Sequence, residues 1–79
     1  MKIKARIAKP QEIAISTEFI KLDSFLKFAN AVESGGMAKE VIAAGNVRVN
    51  GEVCLERGRK LRPGDKVLFS GEYYVVTGE

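Results

Sequence analysis

Gly45-Asn46-Val47-Arg48-Val49-Asn50-Gly51 is the stretch on which the fold turns. Val47 and Val49 alternate with Arg48, the period of a strand with one buried face. Asn50-Gly51 follows at once, and this pair favours a two-residue hairpin turn because both central residues must take positive φ. Gly45 suits the left-handed residue that closes a helix. The stretch thus announces a helix end, a strand and a reversal, and residues 52–55 supply the return strand.

Working back, Met37, Ala38, Val41 and Ile42 form i,i+4 apolar pairs and predict a short helix. Ser34 stands where its hydroxyl can accept from the unsatisfied first-turn amides. Lys39 lies off the apolar stripe and is expected to face solvent. Leu22, Phe25, Leu26, Ala29 and Val32 recur at three and four, predicting an amphipathic helix over roughly residues 22–31. Asp23 sits in its first turn, where negative charge favours the helix dipole. Ser34-Gly35-Gly36 breaks the pattern, so the expectation is two short helices joined by a tight glycine turn. Residues 12–16 alternate as a short strand. Residues 1–9 alternate Ile3, Ala5 and Ile7 with Lys4 and Arg6, and Pro10 closes them. Residues 1–11 are therefore expected to be a basic arm or edge strand, and residues 12–79 a single domain.

Working forward, residues 57–62 are basic with no acid, and Pro63-Gly64-Asp65 is a turn in which proline presets φ and glycine takes the left-handed position. Residues 66–69 and 73–76 make a last hairpin across Ser70-Gly71-Glu72. Tyr73 and Tyr74 are strand neighbours and must point to opposite faces. Helices early and strands late predict an α+β domain, a helix pair covering one face of a small, mainly antiparallel sheet.

The composition narrows the chemistry. The chain has 79 residues, a net charge of +3, one cysteine and no histidine. A domain this small buries only about 60% of its unfolded surface. Lack of histidine removes the commonest general base and metal ligand. A single Cys54 rules out an internal disulfide and a multi-thiolate zinc site. Ser24, Ser34 and Cys54 have no histidine to activate them as nucleophiles. Cys54, beside Leu55 on a strand, reads as a small buried hydrophobe, and Asp23 and Asp65 each have a local structural task. Ser34-Gly35-Gly36-Met37-Ala38-Lys39 lacks the spacing of a nucleotide-binding phosphate loop. No catalytic residues, metal, cofactor or small-molecule substrate are expected. No apolar run approaches the roughly 20 residues of a membrane span, and no export signal is visible, so a cytoplasmic location is expected.

Charge is held in blocks. Lys2, Lys4, Arg6 and Lys9 form one; Arg48, Arg57, Arg59, Lys60, Arg62 and Lys66 dominate another; Glu12, Glu18, Asp23, Glu33 and Glu40 lie between them. Two basic blocks suit a polyanionic partner. The amides opening the second helix could hold an anion, with Lys39 one turn further in. Arg57-Gly58-Arg59-Lys60 is the denser cluster, with arginine forks that grip phosphate in two places. Arg48 leaves the core face of its strand. A basic stretch folded back beside the helix turn would unite these groups in one positive surface. The second helix offers only Lys39 as a base, too little for a DNA recognition helix.

The order of features resembles the S-four RNA-binding domain, or alpha-L motif. Lys21-Leu22-Asp23 opens the first helix, Ser34-Gly35 stands at the turn and Ala38-Lys39 lies in the second helix. Gly45-Asn46-Val47-Arg48-Val49-Asn50-Gly51 and Leu61-Arg62-Pro63-Gly64-Asp65 follow. The turn and the Arg-Gly-Arg-Lys cluster are similar to the stand-alone bacterial members, the YaaA-like group. The resemblance implies a non-catalytic module that binds structured RNA, ribosomal or transfer RNA, with the ribosomal subunit as a setting and ribosome assembly or translation as the process. It places the RNA-facing positions at Lys21, Asp23, Ser34, Gly35 and Lys39, at Arg48, Asn50 and Gly51 on the hairpin, and at Arg57, Arg59 and Lys60 beyond it. Many relatives carry arginine where this chain has Lys21 and Gly35, so backbone amides and the later arginines are expected to compensate. The competing reading is a protein-interaction module whose basic surface meets an acidic partner in a ribosomal or enzyme complex.

Overall fold

A computed structural model describes residues 10–79; of the arm or edge strand expected for residues 1–11, residues 1–9 lie outside them and Gln11 opens the first strand. The elements run β1 (Gln11–Ile15), β2 (Ile20–Lys21), α1 (Leu22–Phe28), α2 (Gly35–Ala43), β3 (Val47–Val49), β4 (Glu52–Val53), β5 (Lys60–Leu61), β6 (Lys66–Phe69) and β7 (Glu72–Gly78). A five-stranded sheet has the order β1-β7-β6-β3-β4, and β2 pairs with β5 in a separate ribbon. Only β1 and β7 are parallel in the large sheet; its other pairings are antiparallel.

Both predicted hairpins form. Asn50 (φ 52°) and Gly51 (φ 90°) make the reversal between β3 and β4, and Ser70 (φ 55°) and Gly71 (φ 79°) that between β6 and β7. Two consecutive positive φ values give the turn the twist of the strands it joins. Glu72 belongs to the returning strand, so the second turn is one residue tighter than expected. The return strand β4 is also shorter than residues 52–55, although the Cys54 amide still donates to the Val47 carbonyl at 3.0 Å.

The helix pair is present, but its connection differs from expectation. α1 stops at Phe28, short of residue 31. Asn30 takes φ 61°, its amide donates to the Lys27 carbonyl (3.0 Å), and the Ala31 amide reaches back to Leu26 (2.8 Å). This is a Schellman closure, with asparagine in the left-handed place usually given to glycine. Gly35 and Gly36 are the first residues of α2, and the reversal is made by Asn30 rather than by a tight glycine turn. Val32 is still buried, which is why its position extended the apolar stripe. α2 ends as foreseen: Gly45 (φ +80°) donates to Ile42, and Asn46 to Val41, each at 3.0 Å.

The core lies between the helices and one sheet face. Leu22, Phe25 and Leu26 of α1 and Ala38 and Ile42 of α2 meet Ile15, Val47, Val49, Val67, Tyr74 and Val76. The Phe25 and Tyr74 rings pack edge to face, 6.1 Å apart at 89°, a geometry in which a positive ring edge meets a negative face. Val32, Cys54 and Leu61 complete the cluster. The tyrosines separate as predicted: Tyr74 is core and Tyr73 faces outward, 48% exposed.

Candidate nucleic-acid interface

The start of α1 has no side-chain cap; Lys21, in N-cap position, is extended. The chain solves the problem with a distant segment. The Leu22 amide donates to the Arg59 carbonyl at 2.8 Å, and the Asp23 amide to the Arg57 carbonyl at 3.1 Å. The next amide, Ser24, donates to the Asp23 carboxylate at 2.7 Å. First-turn amides otherwise lack helical partners, so the main chain of residues 57–59 serves as the cap. β2 and β5 extend this lacing, pairing Ile20 with Leu61 and Lys21 with Lys60. Neither strand was predicted, because two-residue strands carry no periodicity to detect.

Lys21, Arg57, Arg59 and Lys60 are thereby gathered around one helix start, all exposed. The basic stretch folds back, as the single-surface expectation required, but the main chain ties it to the α1 start; no hydrogen bond or strand pairing links it to Ser34 among the described residues. Phe19 organises the cluster: Lys60 Nζ lies 4.9 Å from its ring centroid and the Arg62 guanidinium carbon 5.7 Å. Each such contact is worth about 0.5–1 kcal/mol at an exposed site. Phe19 and Arg62 were not among the predicted site residues, because nothing local marks an aromatic that will meet a cation far along the chain.

Ser34, Gly35 and Lys39 form a second group at the start of α2. Ser34 is the N-cap, its Oγ accepting from the Met37 amide at 3.1 Å. Gly35 and Gly36 are exposed, and no acceptor for their amides occurs among the described residues. A Cβ at Gly35 would meet nothing within 4 Å, so the helix start is open to a ligand. Lys39 is exposed, as its place off the stripe required.

The hairpin residues are the third group. Arg48 is exposed and its Nη1 donates to the Gly51 carbonyl at 3.3 Å. Asn50 is engaged internally: its Nδ2 donates to Asp65 Oδ1 (3.1 Å) and its Oδ1 accepts from the Lys66 amide (3.0 Å). Asp65 Oδ2 accepts from the Arg62 amide at 2.8 Å. Asn50 and Asp65 therefore clamp the hairpin to the proline turn, and Asp23 holds a helix start; these are positioning residues. Among the described residues no group of three or more His, Cys, Asp or Glu side chains is placed to hold a metal, and no helix is long and apolar enough to cross a membrane.

Two helices packed on a mixed sheet are an architecture similar to the alpha-L motif. The solution structure of YbcJ from E. coli, described as having an alfaL motif involved in RNA-binding, superposes on this chain with a TM-score of 0.69 and 28% identity, covering 96% of this chain and 98% of YbcJ. The S4 domain family model matches residues 13–77, and the chain belongs to that family. The probable ribosome maturation protein RlbA of Bacillus subtilis (strain 168) is 49% identical over 59 residues, 75% of this chain and 83% of RlbA.

Proposed function

We propose that this protein is a non-catalytic RNA-binding protein of the cytoplasm that holds structured ribosomal RNA during ribosome maturation. Transfer RNA is the other structured RNA whose backbone would suit the same surface. The carrying observation is the main-chain lacing that gathers Lys21, Arg57, Arg59 and Lys60 around the α1 start. Clustered, exposed cations neutralise phosphates, and A-form RNA is recognised by shape and backbone because its deep groove excludes side chains. The open α2 start adds Ser34, Gly35 and Lys39, while Arg48 and Gly51 add the hairpin. The matched relatives, one named for ribosome maturation and one described as RNA-binding, support the same reading.

Groups that a small enzyme would need already have structural tasks. Ser34 caps a helix, Cys54 is buried, and both Asp65 carboxylate oxygens accept from the chain itself.

Crosslinking the protein to RNA in cells and sequencing the bound fragments tests the proposal. Fragments concentrated in ribosomal RNA, with ribosomal co-sedimentation abolished by ribonuclease, are the expected result. Co-sedimentation that survives ribonuclease without RNA crosslinks would replace it with the protein-interaction reading.

A further inference from the structure

The sheet face opposite the two helices carries a further group of exposed basic and aromatic residues. Arg48, Leu68 and Tyr73 stand in register across β3, β6 and β7. Lys66, two residues from Leu68, projects to the same side. With Asn50 and Gly51 these residues line an open depression of about 480 Å³, within the roughly 300–1,000 Å³ range of ligand clefts. Among the described residues, the charged side chains that line it are the basic Arg48 and Lys66. Tyr73, half exposed, offers a ring that the core does not use.

We propose that this depression is a stacking site for an unpaired nucleotide of the bound RNA, its base on Tyr73 and its phosphate between Arg48 and Lys66. The proposal rests on the RNA-binding reading and deepens it. Aromatic rings on exposed sheet faces stack bases irrespective of sequence, because every base has a π-face. Charge selects the occupant: an apolar ring flanked by two cations suits a base and its phosphate better than an apolar protein segment. Asp65 joins the two surfaces, accepting from the Arg62 amide on one side and from Asn50 on the other. A duplex gripped around the α1 start could therefore continue as a single strand onto the sheet, and a duplex-to-single-strand junction is the ligand class that engages both.

Two RNAs test this: a blunt hairpin and the same hairpin with a short single-stranded extension. The wild-type chain should bind the extended RNA more tightly. Tyr73→Ala should weaken binding to the extended RNA about tenfold and leave the blunt hairpin unchanged, whereas Tyr73→Phe should bind both like wild type. The Tyr73 ring-proton resonances should move upfield on adding the extended RNA. An Arg57→Ala/Arg59→Ala variant should weaken both RNAs. Equal binding of the extended RNA by wild type and Tyr73→Ala, with the arginine dependence intact, would overturn this inference alone. Failure of the wild-type chain to bind either RNA would overturn it together with the RNA-binding reading.

Discussion

Asn50 shows how much one side chain contributes when the backbone has already chosen it. It adopts φ 52°, and its amide group bonds both Asp65 and the Lys66 main chain. A neutral hydrogen bond contributes about 0.5–1.5 kcal/mol net, and a left-handed residue other than glycine or asparagine costs about 1–2 kcal/mol. Asn50→Ala should therefore lower unfolding free energy by about 2–5 kcal/mol in a urea titration. Asn50→Gly, which keeps the φ but loses both bonds, should cost about 1 kcal/mol less; equal losses would show that the conformational share is absent. The turn pair was legible in the sequence, but the clamp was not, since it depends on where residues 62–66 arrive in space. Tyr74 carries a different signature. Burial, with a smaller contribution from the Glu72 carboxylate, raises its phenol above the ordinary 10.0. Below that value folded and unfolded chains both hold the proton, and the stability associated with the neutral ring is intact. Above it the unfolded chain ionises first, so this stability declines as pH rises through the folded-state value. Chemical denaturation between about pH 9 and 11 should show a shallower decline for Tyr74→Phe than for wild type. Identical slopes would mean that the buried phenol does not contribute.

At the level of elements, α1 depends on a remote segment for its beginning and on asparagine for its end. Its first two amides donate to Arg59 and Arg57 carbonyls. Amides in the first turn of a helix usually exchange readily because they lack helical acceptors. Hydrogen exchange should instead find Leu22 and Asp23 protected well beyond Gly35 and Gly36, whose helix start is open. Similar rates at the two helix starts would contradict the lacing. This element also marks the limit of legibility. The 3.6-residue stripe located both helices, and Ser34 and Gly45 fixed the α2 boundaries, because each signal is local. The stripe overran α1 because Val32 is buried for reasons of packing. The β2–β5 ribbon, the Phe19 contacts and the joining of Lys21 to Arg57, Arg59 and Lys60 all depend on long-range pairing. The sequence identified the basic residues; only the fold shows which of them meet.

For the molecule as a whole, the core and the ligand surfaces occupy different layers. Apolar residues from two helices fill one face of the sheet, and the cations are exposed outside that layer, on loops, on both helices and on the strands. Exposed cations that neutralise phosphates release counterions, so affinity should follow ionic strength. If about four to six phosphates are neutralised, the slope of log affinity against log salt should be roughly −3 to −5. RNA binding through the cations around the α1 start is tested by this titration on a structured ribosomal RNA fragment, with wild type and an Arg57→Ala/Arg59→Ala/Lys60→Ala variant in parallel. Three fewer phosphate contacts predict a slope shallower by about 2–3 and weaker binding at every salt concentration. A flat salt response for wild type, or superimposable curves for the two proteins, would contradict it.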